Sequence, residues 1–261
     1  MIPAGKATFY RLTAEELQRK KERDSIGLLA EKRLHSILKR WVTDDFSCHE
    51  VRIGGEAGGK RYAVADVCLP NGEIAEIQTG ALYPLRQKMD FYLNGTSRRV
   101  TLIHPVIAEK YLNRIPAEGS AGGTRRKSPK KETVLSAAGQ LKPFVRYFET
   151  GRFEVWFVTL AAEEFRLSGG ASTHGGRGGR GKRFDLIPTE LLGVTVINSI
   201  ADLRPLLPEN LPAHFTAKEF AACARPIGGF ALYDLLFVLE AGGLIEKCGR
   251  KGRSAVYERK Y

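Results

Sequence analysis

The chain has 261 residues, of which 43% are hydrophobic and 27% charged, with a formal net charge of +12. This composition is ordinary for a globular protein of one or two domains and excludes a wholly disordered chain. No apolar run is long enough to span a bilayer, and the N-terminus lacks the apolar core of a signal peptide, so we expect a cytoplasmic protein without membrane partners. The four cysteines and five histidines show no metal-ligand spacing, which argues against a zinc site or disulfide framework.

Two helices are predicted first. Thr13 followed by Glu16 has the pattern of a capping box, which typically opens a helix. After Ser25, apolar residues recur at helical spacing as far as Trp41, so a second helix is expected there with one buried face.

The next segment predicts a mixed sheet. Asn71-Gly72 separates two apolar runs, residues 61–69 and 73–79, and Asn-Gly in this setting favours an antiparallel hairpin. The elements around that hairpin are a first strand from Cys48, a helix over Leu82–Leu93 and a buried strand over Arg99–His104. The order helix, three strands, helix, strand indicates an α/β core with a mixed sheet.

The middle of the chain continues this core. The expected elements are a short helix or turn at Pro105–Leu112, a basic loop at Arg125–Lys131, helix from Thr133 to Phe148, a strand at Phe153–Leu160 and a returning strand at residues 184–188. Between the last two strands, residues 168–183 are rich in glycine and arginine. So much glycine is costly to order, and we expect a mobile loop there.

The C-terminal part follows a different pattern. Thr216 caps a predicted helix, Gly228-Gly229 forms a turn, and a second helix over Phe230–Glu240 ends at glycine. Two short strands around a basic, glycine-containing tip complete the order helix, turn, helix, hairpin. This order resembles a winged helix-turn-helix domain, so we expect a domain at residues 1–207, with its core at about 25–160, and a small winged-helix domain at 208–261.

The positive charge is concentrated in three segments, residues 122–131, 168–183 and 245–261. A single basic run is often only a solvated loop, but three in one chain favour contact with a phosphate backbone. The candidate nucleic-acid-binding residues are Arg125, Arg126, Lys127, Lys130, Lys131, Arg250, Lys251 and Arg253.

Two acidic residues lie on the arms of the predicted hairpin. The turn brings Asp66 and Glu76 together, and Glu76 and Gln78 share one face of their strand. Two neighbouring carboxylates form a minimal site for a hard cation such as Mg²⁺ or Mn²⁺, which is what phosphodiester hydrolysis requires. The alternative interpretation is a solvated hairpin face.

These residues resemble the PD-(D/E)XK nucleases, in which an Asp and a (Glu)-x-Lys motif lie on consecutive strands. The resemblance covers about residues 25–105 and implies a restriction-endonuclease-like fold with Asp66 and Glu76 as metal ligands. Helix residues 30–33 are similar to the resolvase-like branch, which implies Glu31 as a supplementary acid and suggests a homodimer. Gln78 departs from the family lysine, and Lys88 on the following helix is the candidate replacement. Glu31 and Lys88 have the alternative interpretation of exposed surface residues.

Three functions follow as hypotheses. The first is a metal-dependent nuclease, with DNA favoured over RNA, in which the winged helix contacts backbone. The second is a catalytically inactive DNA-binding or regulatory protein on a nuclease fold, in which Gln78 in place of the lysine marks the loss of activity. The third is an RNA-associated protein that uses the Arg-Gly segment as an electrostatic tether. The winged helix has the further alternative of mediating dimerisation or protein contact.

Overall fold

The computed structural model describes residues 4–19, 30–54, 62–115, 123–167, 183–224 and 227–261, with the backbone alone at residues 19, 30–32, 167 and 183–184. Within these ranges the protein is an α/β structure with a large mixed sheet, a smaller sheet, and helices on both faces of the large one. No helix in these ranges is long and apolar enough to cross a membrane.

The described residues form ten strands and seven α-helices. The strands are β1 (His49–Gly54), β2 (Tyr62–Cys68), β3 (Ile74–Ile77), β4 (Val100–Ile115), β5 (Thr124–Lys127), β6 (Phe153–Leu167), β7 (Arg183–Ile197), β8 (His214–Thr216), β9 (Ile245–Lys251) and β10 (Ser254–Arg259). The α-helices are α1 (Lys6–Arg19), α2 (Ala30–Val42), α3 (Arg86–Gly95), α4 (Val134–Ala138), α5 (Val145–Phe148), α6 (Ala217–Cys223) and α7 (Phe230–Ala241). Short 3-10 helices include Tyr83–Leu85, Gly139–Phe144 and Ile200–Leu206.

The large sheet has the strand order β1-β2-β3-β4-β6-β7, and β5 pairs with the distal half of β4. β1, β2 and β3 are antiparallel neighbours, whereas β3, β4 and β6 are parallel. The parallel step from β3 to β4 needs a crossover, and α3 provides it. β8, β10 and β9 form the smaller, antiparallel sheet.

One face of the large sheet is covered by α1 and α2. Apolar residues of α2 recur at helical spacing from Leu34 to Trp41, and both of these side chains are at most 1% exposed. They form a hydrophobic cluster with Phe9 of α1, Ile77 of β3 and Trp156 of β6. The predicted buried face of the second helix is therefore confirmed.

The other face carries α3, the helical segment 134–148 and the C-terminal helices. A single hydrophobic cluster runs from Met89 of α3 to Leu235 of α7 and Tyr257 of β10. The approach of α7 is very close at Gly139, where an added Cβ atom would lie 2.9 Å from the main-chain oxygen of Ala231. The C-terminal helices thus share a core with the large sheet.

The predicted hairpin is confirmed. β2 and β3 are antiparallel, with Val67 opposite Ala75 and Cys68 opposite Ile74. Gly72 in the connecting turn has φ of +83°, in the left-handed region that glycine adopts without steric cost. The predicted capping of the C-terminal helix is also confirmed, because the Thr216 side chain accepts from the main-chain N–H of Glu219 at the start of α6.

Two local predictions are wrong. The first helix begins at Lys6, and Thr13 lies inside it, with its hydroxyl donating to the Phe9 carbonyl oxygen at 3.0 Å. The segment Pro105–Leu112 is part of β4, because its partner β6 extends alongside it and Pro105 pairs with Val158. Tertiary pairing outweighs the local preference of proline for a turn.

The basic segment around Arg125 is also more ordered than predicted. Residues 124–127 form β5, which pairs with β4 from Tyr111 to Arg114. The strand predicted to end at Leu160 continues as β6 to Leu167, and the returning strand β7 pairs with it. The expected mobile loop at residues 168–183 lies outside the described residues, apart from Arg183 at the start of β7.

Candidate functional site

The pairing of β2 with β3 ends at Val67 and Ala75, and the residues that follow are joined through the side chains of Asp66 and Glu76. The main-chain N–H of Ile77 donates to Asp66 Oδ2 at 2.8 Å. The N–H of Asp66 lies 3.4 Å from Glu76 Oε1, which accepts from it. Each carboxylate thus bonds to the opposite strand, and the two acids lie side by side, as predicted from the hairpin.

Glu76 is a buried acid with three hydrogen-bond donors. Its side chain is only 1% exposed. Lys88 donates to Oε2 at 2.6 Å, and the Tyr92 hydroxyl donates to Oε1 at 3.0 Å. Burial and the adjacent charge of Asp66 raise the pKa of Glu76 to about 7, against the opposing effects of Lys88 and Tyr92.

Asp66 has the opposite shift. Burial alone would raise its pKa, but the hydrogen bond and charge of His35, the Ile77 N–H and the charge of Lys88 together hold the pKa below its usual value. His35 Nε2 lies 3.5 Å from Asp66 Oδ1. Adjacent carboxyl groups whose pKa values are pushed apart are typical of acid–base or metal sites.

Two of these neighbours were not among the predicted residues. Tyr92 lies four residues after Lys88 on α3, and His35 lies four residues after Glu31 on α2. Residues at this spacing lie on one helix face, and that spacing was the available signal. Burial and the charge of Glu76 raise the pKa of Tyr92, so its hydroxyl stays protonated and remains a donor.

Gln78 lies just beyond β3, and its side chain is bonded within the following loop. Its amide Nε2 donates to the carbonyl oxygen of Ala81 at 2.7 Å. The main-chain carbonyl oxygen of Gln78 is 2.7 Å from His104 Nδ1. That Gln78 shares the strand face of Glu76 stays a prediction: β3 ends at Ile77, and the main-chain N–H of Gln78 still donates to the Ile103 carbonyl oxygen of β4 at 2.9 Å. The charged group next to Glu76 is Lys88.

The donor chemistry of this pair suits a hard cation. Asp66 and Glu76 offer carboxylate oxygens, which Mg²⁺ prefers, and Mg²⁺ is commonly held by only one or two carboxylates with water and phosphate completing its shell. No group of three or more His, Cys, Asp and Glu side chains suited to a metal occurs among the described residues. The predicted third acid, Glu31, lies in α2, but its side chain is outside the described set.

The basic residues of β5 and the segment after it are partly neutralised by acids. Arg125 bonds to Glu163 at 2.9 Å and stacks over Tyr111, with its guanidinium carbon 3.8 Å from the ring centroid. The other ion pairs of this segment are Lys127 with Glu109 at 2.6 Å and Lys130 with Glu132 at 3.1 Å. Arg126 and Lys131 are exposed and form no ion pair with any described residue.

The C-terminal hairpin presents basic residues at its tip. Arg250, Lys251 and Arg253 are exposed, and Lys251 pairs with Glu219 at 3.8 Å. Helix α7 exposes aromatic side chains: Phe230 is 91% exposed and Tyr233 61%. These rings offer few groups that read base edges.

Comparisons with known proteins give family membership without an activity. A protein of Treponema pallidum (strain Nichols), described as an uncharacterized protein, is 24% identical over 239 residues, which are 90% of this chain and 88% of that protein. No solved structure matches the chain. The family model "Domain of unknown function (DUF8091)" matches residues 32–198, a range that contains Asp66, Glu76 and Lys88. Because this match covers more than half of the chain, the protein belongs to the DUF8091 family.

Proposed function

We propose that the protein is a metal-dependent nuclease of the PD-(D/E)XK type that acts on DNA. The observation that carries the proposal is the position of Lys88, whose ammonium group lies 2.6 Å from the buried carboxylate of Glu76. The resemblance requires a cation beside this acid, and the sequence has Gln78 where the family has lysine. In this proposal Lys88, on α3, supplies next to Glu76 the positive charge that the family lysine would carry.

The order of elements supports the same proposal. Helix α2 is followed by three antiparallel strands, helix α3 and the parallel strand β4. Asp66 lies on the second of these strands and Glu76 on the third. This is the arrangement that the resemblance implies for a restriction-endonuclease-like core.

Each residue of the cluster has a role in this proposal. Asp66 and Glu76 would hold Mg²⁺ or Mn²⁺, and such an ion would supply Lewis-acid activation of the phosphate and of water near neutral pH. Asp66 is ionised at neutral pH because its pKa is lowered. Lys88 stabilises the negative charge that develops on the phosphate, and Tyr92 holds Glu76 Oε1 in place.

The remaining basic residues hold the nucleic acid. Arg126 and Lys131 near β5, together with Arg250 and Arg253 at the tip of the C-terminal hairpin, are exposed and available to phosphates. Phosphate contacts position a duplex without reading its sequence. In this proposal the C-terminal elements act as a winged helix that binds backbone and adds little sequence preference.

One observation favours a second candidate, an inactive DNA-binding protein on the same fold. The amide of Gln78 is bonded to Ala81, and both oxygens of Glu76 already have protein donors. A site closed in this way could be structural. The RNA-tether hypothesis depends on residues 168–183 and therefore draws no support from the described structure.

The test is a cleavage assay with plasmid, single-stranded DNA and RNA in Mg²⁺ or Mn²⁺. Wild type is compared with Asp66→Asn and Glu76→Gln, which keep side-chain volume and remove the charge. Glu209→Gln is the matched control, because this acid is exposed and distant in sequence from the site. Cleavage by wild type and the control alone supports the nuclease. Equal background in all four proteins, with DNA binding retained, supports the inactive protein.

A further inference from the structure

The loop at residues 78–82 joins the two halves of the candidate site. It begins two residues after Glu76 and leads through the turn Tyr83–Leu85 into α3, which carries Lys88. This loop is therefore the main-chain connection between the buried carboxylate and the helix that carries the ammonium group.

Two polar side chains from other elements hold this loop at both ends. His104 of β4 is 6% exposed, and its Nδ1 lies 2.7 Å from the Gln78 carbonyl oxygen. Gln140, in the 3-10 helix Gly139–Phe144, accepts the main-chain N–H of Leu82 on its Oε1 at 3.0 Å. The two side chains also meet, with 3.4 Å between Gln140 Nε2 and His104 Nε2.

The donor and acceptor of each of these three hydrogen bonds follow from the two main-chain groups, the Gln78 carbonyl oxygen and the Leu82 N–H. A carbonyl oxygen only accepts, so His104 Nδ1 must carry the proton toward Gln78. The Leu82 N–H only donates, so Gln140 presents its oxygen there and its NH₂ to His104. The ring is then neutral, with Nε2 as the acceptor. Burial lowers the pKa of His104, which agrees with a neutral ring.

We propose that His104 and Gln140 are positioning residues that fix the loop 78–82 and thereby hold Lys88 against Glu76. The inference rests on the proposed function for its catalytic meaning, since a displacement of about 1 Å in a reacting group can cost roughly 10²-fold in rate. The placement of Lys88 itself is measurable without any substrate.

Variants of His104 and Gln140 distinguish the effect of their hydrogen bonds from the effect of their packing. In His104→Asn the side-chain amide nitrogen takes the place of Nδ1 and keeps the bond to Gln78, whereas His104→Leu removes it. Gln140→Met removes both bonds of Gln140 at similar volume. If His104→Leu does not fold, Gln140→Met and His104→Asn still test the proposal. Thermal unfolding identifies any variant that is not folded.

The readout is acylation of Lys88 in the full-length protein, measured by mass spectrometry relative to the exposed Lys218. We expect Lys88 to become several-fold more reactive in His104→Leu and Gln140→Met and to stay at the wild-type level in His104→Asn. Unchanged reactivity in folded His104→Leu or Gln140→Met overturns the proposal, as does an equal increase in His104→Asn.

Cleavage kinetics then separate this inference from the proposed function. If wild type cleaves DNA, the two disruptive variants should lose kcat with little change in KM, and His104→Asn should recover most of it. Unchanged kcat in those variants overturns the positioning role and leaves the nuclease intact. If wild type does not cleave, the proposed function fails, and the acylation result alone decides whether the two side chains hold Lys88.

Discussion

Lys88 Nζ lies 2.6 Å from Glu76 Oε2, although the two residues are 12 positions apart and belong to different elements. Glu76 is 1% exposed and Lys88 27%, so a buried carboxylate is paired with a partly exposed ammonium group. A buried acid with one close cation and a neighbouring acid depends strongly on each of its partners.

The first prediction concerns pH. The pKa of Glu76 is raised to about 7 in the folded protein from an ordinary 4.5. The folded state therefore holds this proton more tightly, and the contribution of Glu76 to stability is fully present below pH 4.5 and is lost as pH rises toward 7. The expected loss is on the order of 3 kcal/mol. Denaturant unfolding of wild type and Glu76→Gln across this range measures it. Parallel curves for the two proteins would show that Glu76 does not titrate this way.

The second prediction concerns the source of the catalytic charge. Lys88→Met should reduce cleavage by roughly 10²-fold, because one stabilising donor next to the phosphate is lost. Adding Gln78→Lys to that variant restores the motif lysine and should recover part of the rate. Lys142→Met is the control, since Lys142 pairs with Asp234 on α7. Full activity of Lys88→Met would exclude a catalytic role for this lysine.

The third prediction concerns the close approach of α7. Gly139→Ala should destabilise the protein by about 1–3 kcal/mol, because the new Cβ atom meets the main chain at Ala231 and Leu235. Gly95→Ala, at the end of α3, has only the Phe91 side chain near it, at 3.8 Å, and should be neutral or slightly stabilising. Urea unfolding of the two variants compares them directly. A neutral Gly139→Ala would mean that α7 can shift without cost.

The fourth prediction compares two lysine–glutamate pairs that involve β4. Glu164 is 1% exposed and bonds to Lys110 at 2.7 Å, and this contact helps to hold its pKa below the usual value against the effect of burial. Glu164→Gln should destabilise the protein by about 1–3 kcal/mol, since it removes the buried carboxylate that pairs with the half-buried cations of Lys110 and Arg166. Glu109 pairs with Lys127 in the open, and Glu109→Gln should produce no resolvable change in the unfolding midpoint. Equal costs for both substitutions would contradict the difference in burial.

The fifth prediction concerns nucleic-acid binding at β5. Arg126→Ala should weaken DNA binding and reduce the slope of log affinity against log salt by about 1, as expected for loss of one phosphate contact. Arg125→Ala should have a smaller effect, because Arg125 is already paired with Glu163. Fluorescence anisotropy at several salt concentrations compares the two neighbours. An unchanged slope for Arg126→Ala would remove β5 from the binding surface.

Local patterns in the sequence were sufficient to predict several of the strands and helices. The hairpin around Gly72 was predictable because Asn-Gly favours one turn geometry, and α2 because its apolar residues repeat at helical spacing. The proximity of Asp66 and Glu76 followed from the same hairpin. In contrast, the extent of β4 through Pro105 depends on its pairing with β6, which comes much later in the chain.

The sequence by itself thus determined the hairpin and its two acids, because both depend on residues that are close along the chain. Only the tertiary structure decided which cation faces Glu76, because the packing of α3 on the sheet brings Lys88 and Tyr92 to it. The Gln78 side chain bonds to Ala81 in the following loop. The tertiary structure also decided that His35 reaches Asp66 and that His104 and Gln140 hold the loop between them. Contacts between distant elements depend on how their buried faces pack, and no local pattern specifies that arrangement.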